Sequence, residues 1–130
     1  MRLSADTSAL TKLLKREAET SGLRTWLADS RAELLSSAMV IAELGRVGLA
    51  YGIPAASIAA VLQQIDTVGI TDEVLRSAGR LPAAPGRVLR TLDAIHMASA
   101  LTVGYDTVLT YDKPMTDVAV HHGLTVVAPR

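Results

Sequence analysis

Short β-like runs alternate with helix-length amphipathic segments along nearly the whole chain, and this alternation most limits what it can fold into. Residues 1–5 are a strand candidate, although Arg2 and Ser4 interrupt its apolar character. A helix follows from Thr7 or Ser8, where a hydroxyl can cap the first turn, with Leu10, Leu13 and Leu14 on one face. A second helix runs from about Thr20 to Ala28, with Leu23, Trp26 and Leu27 inward. Glu33–Ser36 reads as a strand, and Ser37 caps a helix over about Ala38–Tyr51 that stops near Gly52. Pro54 opens another helix to about Ile65, because proline suits a first turn, and Thr67–Ile70 is extended. Thr71 caps a helix whose first turn carries Asp72 and Glu73, where the helix dipole favours acids. The stretch 80–91 holds two prolines and a glycine and reads as a loop. A strongly apolar helix then covers Leu92 to about Val103, Thr107–Thr110 is a strand, a helix lies near Pro114–His122 before Gly123, and Leu124–Val127 is the final strand. Such alternation predicts a three-layer α/β/α sandwich with a mostly parallel central sheet, formed by residues 1–130 as one domain. In such sheets sites form at the carboxyl ends of the strands.

Composition excludes several functions. The 13 Lys and Arg balance the 13 Asp and Glu, so no global positive field draws in phosphates. Cysteine is absent, which removes disulfide frameworks, thiolate metal sites and cysteine nucleophiles. No apolar run reaches the roughly 18 residues of a membrane span, and the first residues lack the apolar core of a signal peptide, so a soluble cytoplasmic protein is expected.

The surroundings of the acids sort them. Glu17, Glu19, Asp29, Glu33, Asp66, Asp72, Glu73 and Asp106 lie on polar faces or at turns and caps. Four others interrupt or border apolar runs: Asp6 after the first strand, Glu43 within Ala38–Leu44, Asp93 near the start of the apolar helix, and Asp112 after Val108–Tyr111. Asp6 and Asp112 stand just past strand carboxyl ends, Asp93 suits a helix N-terminus on the same edge, and Glu43 is within reach of it. Three of them also have a plain reading, Asp6 and Asp93 as N-caps and Asp112 as a turn residue before Pro114. Converging carboxylates repel one another unless basic partners or a metal ion relieve them, and all-oxygen ligation suits Mg²⁺ or Mn²⁺ better than zinc.

The same residues carry a family resemblance. Asp6-Thr7-Ser8-Ala9-Leu10, Ser36-Ser37 with Ala42-Glu43-Leu44-Gly45-Arg46, Leu92-Asp93-Ala94-Ile95-His96-Met97-Ala98, Leu109-Thr110-Tyr111-Asp112 and Gly123-Leu124-Thr125-Val126 resemble, in order, the motifs of PIN-domain ribonucleases of the VapC toxin type. The resemblance implies a PIN-like fold and a Mg²⁺- or Mn²⁺-dependent endoribonuclease toxin of the bacterial cytoplasm. Asp6, Glu43, Asp93 and Asp112 match the acidic quartet, and Thr7 or Ser8 would support the first of them. It further implies a homodimer, a cognate antitoxin that silences the acidic groove, and a structured RNA substrate such as a tRNA or rRNA loop.

Other residues have two readings each. Asp117 lies one helical turn beyond Asp112, as an outer ligand or a surface charge. His96 shares a helix face with Asp93 and either holds an acid, contacts RNA or is a structural histidine. Arg46 is placed to pair with Glu43 or touch phosphate. Arg80, Arg87 and Arg90 give the 80–91 loop a local positive charge for RNA backbone or a partner, or are solvated. Two further functions compete. A signalling receiver domain shares the length, the clustered acids and a Lys-Pro like Lys113-Pro114, although Asp6 lacks the adjacent acid expected there. A catalytically weak PIN domain kept for protein binding is the other.

Overall fold

The computed structural model describes all 130 residues. Its elements are β1 (Arg2–Ala5), α1 (Thr7–Leu14), α2 (Thr20–Ser30), β2 (Glu33–Ser37), α3 (Val40–Tyr51), α4 (Ala55–Leu62), β3 (Ile65–Val68), α5 (Asp72–Gly79), α6 (Thr91–Thr102), β4 (Thr107–Leu109), α7 (Lys113–His121) and β5 (Thr125–Val127). The five strands form one sheet in the order β3-β2-β1-β4-β5. Every pairing in it is parallel, so the sheet is wholly rather than mostly parallel. Receiver domains wind 2-1-3-4-5, which sets that alternative aside.

Strand alternation divides the core. Leu3, Ala5, Leu34, Ile65 and Leu109 face one side and pack with Ala9, Leu10, Leu23, Val40 and Leu44 of α1, α2 and α3. Val108 faces the other side and packs with Met97 of α6 and Met115, Val118 and Ala119 of α7. Val74 and Ala78 of α5 close against Ala94, Ile95 and Ala98 of α6. Trp26 packs half-buried against the first core. In α3, Val40 and Leu44 are buried, and Ile41 is exposed.

Several boundaries differ from the sequence expectation. Of the two readings of the α1 cap, the structure has Asp6, whose side chain accepts from the Ala9 amide, rather than Thr7 or Ser8. A carboxylate spans that gap while its own backbone stays bonded to the neighbouring strand. Ser37 ends β2, and its hydroxyl accepts from the Met39 amide at 3.3 Å one turn before α3. The helix after Pro54 stops at Leu62, because Ile65 is buried in the sheet opposite Leu34 and so begins β3 two residues earlier than the pattern suggested. Thr71 does cap α5, accepting from the Val74 amide at 3.2 Å, and Gly52 ends α3 with φ 64°.

Lys12 joins four parts of the fold. Its ammonium donates to Glu17 at 2.7 Å and to Glu19 at 2.9 Å and lies 4.7 Å from the Tyr111 ring centroid. Tyr111 in turn donates to the Pro129 carbonyl at 2.5 Å. Burial lowers the Lys12 pKa most, but the bonds to Glu17 and Glu19 together outweigh it and the net shift is upward. The same bond holds Glu19 below its ordinary value of 4.5. A carboxylate lowered in the fold stabilises it above its unfolded pKa and loses that contribution as pH falls through its folded value. Lys12→Met therefore lowers the urea midpoint at pH 7, and the gap to wild type narrows as the pH is taken below about 4; equilibrium unfolding at both pH values checks this.

Candidate active site

β1 and β4 are neighbours in the sheet, but the chain leaves β1 towards β2 and β3 and leaves β4 towards β5. Their following segments diverge, which opens a crevice at the carboxyl edge of the sheet, the place where such folds hold ligands. Asp6 enters this crevice directly from β1. Its amide donates to the Leu109 carbonyl at 3.2 Å, so its position is fixed by β4 as well.

The Asp6 side chain is buried, 6% exposed. Oδ1 accepts from the Ser8 hydroxyl at 2.6 Å and the Ala9 amide at 3.1 Å, and Oδ2 accepts from the Thr110 hydroxyl. Burial pushes its pKa up, opposed by these three hydrogen bonds and by the nearby His96. The Thr110 hydroxyl also accepts from the Asp112 amide at 3.1 Å, and Ser8 Oγ accepts from the Tyr111 amide at 3.1 Å. Asp6 and the Asp112 amide thus share one hydroxyl, that of Thr110. Ser8, rather than Thr7, supports Asp6; the Thr7 hydroxyl is buried without a partner. Thr110 was not singled out from the sequence. Its signal was a hydroxyl at the end of an apolar strand, two residues before an acid that borders the site.

Asp112 caps α7, with Oδ2 accepting from the Met115 amide at 2.9 Å. The capping reading and the site reading are compatible here, since a carboxylate offers about four acceptor positions and a cap uses one. Asp93 is not a cap. It lies in the first turn of α6, where Arg90 holds the N-cap position without a side-chain bond. Its pKa is raised, first by burial and then by the charges of Asp112 and Asp6, with His96 and Arg90 opposing. Asp93 thus meets like charge from both of the other two carboxylates. Glu43, on α3, gives Oε1 to His96 Nε2 at 2.5 Å. That contact replaces the expected Glu43–Arg46 pair, and Arg46 is exposed.

The arginines separate. A cavity of about 280 Å³ is lined by Arg87, Arg90, Asp93, Asp112 and Pro114, so acids and cations meet in one opening. Arg80 is not part of its lining. Arg87 donates to Asp117 at 2.6 to 2.7 Å, and Lys113 lies 3.6 Å from the same carboxylate. Asp117 is thus occupied by basic partners rather than turned to Asp112 as an outer ligand. The loop before α6 is further fastened by His122, which contacts the Pro82 carbonyl at 2.8 Å, and by buried Ala84.

No three His, Asp or Glu side chains converge closely enough to hold a metal ion between them. The donor set is still suited to one. It is all oxygen, it carries mutual repulsion that a divalent cation would relieve, and Oδ1 of Asp112 makes no bond within the protein.

Comparison with known proteins agrees with this architecture. The sequence profile of the PIN domain matches residues 5–121. The chain is 41% identical to Ribonuclease VapC35 of Mycobacterium tuberculosis, with 95% of this chain and 94% of that protein covered. It is 39% identical to Ribonuclease VapC46 of the same organism, with 95% of each covered. Among solved structures, Mycobacterium tuberculosis VapC20, a toxin cleaving the sarcin-ricin loop, superposes with a TM-score of 0.78 at 18% identity over 98% of this chain and 99% of that one. VapBC2 of Rickettsia felis, bound to a fragment of its promoter DNA, matches with a TM-score of 0.74 at 12% identity over the full length of both chains.

Two substitutions should act in opposite directions on the stability of the metal-free protein. Thr110→Val leaves Asp6 Oδ2 buried and unpaired and costs about 1–3 kcal/mol. Asp93→Asn removes a charge that the fold disfavours and raises the melting temperature. Thermal unfolding in EDTA reads both.

Proposed function

The chain belongs to the PIN-domain family, in its VapC branch, and on that premise we propose that it is a divalent-metal-dependent endoribonuclease toxin. Its substrate is a structured RNA, cut in a tRNA or rRNA loop, and a cognate antitoxin neutralises it. The observation that supports this most is the opening lined by Asp93, Asp112 and Arg90, with Asp6 near enough to add its charge to that of Asp112 on Asp93.

Asp6, Glu43, Asp93 and Asp112 would share in holding Mg²⁺ or Mn²⁺, one or two carboxylates directly and the others through the waters such an ion keeps. A divalent cation bound there supplies positive charge against a phosphodiester and acidifies water for attack. The protein's own groups do the rest. Ser8, Thr110 and the Ala9 amide fix both oxygens of Asp6, so this carboxylate needs little reorganisation when substrate arrives. Asp6 or Asp93 orients the attacking water and takes its proton. Arg90, at the open side of the cavity, has no carboxylate partner and grips a phosphate oxygen of the RNA. Arg87 is shared with Asp117 and shapes the opening instead. Exposed Ile41, Leu49 and Tyr51 on α3 offer apolar surface for a homodimer and for the antitoxin.

Purified protein incubated with total RNA and Mg²⁺ or Mn²⁺ should give discrete new ends. EDTA abolishes them and added Mn²⁺ restores them. Asp6→Asn and Asp93→Asn each lower the rate by at least about 100-fold, and Arg90→Ala weakens RNA binding about tenfold, near 1.4 kcal/mol. Identical RNA patterns from wild type and both acid variants would overturn the nuclease reading.

A further inference from the structure

α6 is buried continuously from Ala94 to Ala100, and His96 is the one titratable group in that run. An imidazole 5% exposed on an apolar helix is poorly explained by packing, since a leucine there would carry no desolvation cost. Its surroundings are those of the site. Nε2 lies 2.5 Å from Glu43 Oε1. With Ser4 and Asp6, His96 also lines a cavity of about 10 Å³, the room of a single water, and Nδ1 is buried with no protein partner. Its electrostatic influence lowers the pKa of both Asp6 and Asp93. One buried ring thus stands between an acid from α3 and the acid at the end of β1.

Glutamate is the longest acid of the four, with three rotatable side-chain bonds, and it reaches the site from a different helix. Left alone, its carboxylate would sample solvent. We propose that His96 is a positioning residue for cation binding: Nε2 holds Glu43 by Oε1 and leaves Oε2 for the metal. The inference rests on the reading of Asp6, Glu43, Asp93 and Asp112 as cation-binding acids. Partners of this kind, one step behind the ligand, commonly change metal affinity 10- to 100-fold.

The test is calorimetric titration of Mn²⁺ into wild type, H96L, H96Q, H96N, E43Q and the double variant E43Q/H96L, with thermal unfolding alongside. H96L should bind Mn²⁺ at least about tenfold more weakly. H96Q, whose amide can still donate to Glu43, should recover most of the affinity, and the shorter H96N should not. In the E43Q background H96L should have no further effect, because the two residues act as one unit. Should H96L fail to fold, the contrast between H96Q and H96N carries the same test. Wild-type affinity in H96N, or a full additional loss from H96L on top of E43Q, overturns the positioning role. If E43Q weakens Mn²⁺ binding while H96L does not, only this role falls; if wild type binds no Mn²⁺, the metal-nuclease reading falls with it.

Discussion

The arrangement depends on a buried carboxylate at the end of the central strand. Asp6 is bonded through its amide to β4, through Oδ1 to the first turn of α1, and through Oδ2 to Thr110. Each of these bonds serves folding, because an ionised carboxylate in such a place is costly unless its oxygens are occupied by donors. Each also serves the site, because the donors decide which way the oxygens face. The divergence of the chain on either side of β1 and β4 then leaves an opening lined by Asp93 and Asp112.

Around that fixed acid the electrostatics are deliberately unbalanced. Asp93 and Asp112 add like charge, while the nearest arginine pair is divided: Arg87 is tied to Asp117 and Arg90 is not. A formal charge of zero over the chain is therefore a poor guide to the crevice. The sum averages over an opening in which Asp93 and Asp112 face Arg87 and Arg90.

The layered fold was legible because periodicity and caps are local: Thr71, Gly52 and the apolar run of α6 act where they stand in the chain. The edges of α4 and β3 were not, since Ile65 is a strand residue only by virtue of Leu34 across the sheet. The four acids were visible as charges in apolar runs and through the family resemblance. Their partners were less so. Arg46 was the sequence neighbour of Glu43, but His96, 53 residues away, is its neighbour in space. Thr110 looked like the end of a strand, and only its distance to Asp6 reveals a second task. Hydroxyls in strands carry no pattern that separates these roles.

The separation of Asp6 and Thr110 along the chain has a consequence for synthesis. Their bond joins residues 104 positions apart, and β1, made first, meets its second neighbour β4 only when most of the chain exists. Parallel pairings over such distances close late and slowly. Until then β1 has one unpaired edge, and the first acid lacks both the hydroxyl that orients it and the carboxylate of Asp112. A chain that has not yet docked β4 therefore carries the first acid without the crevice that gives it neighbours.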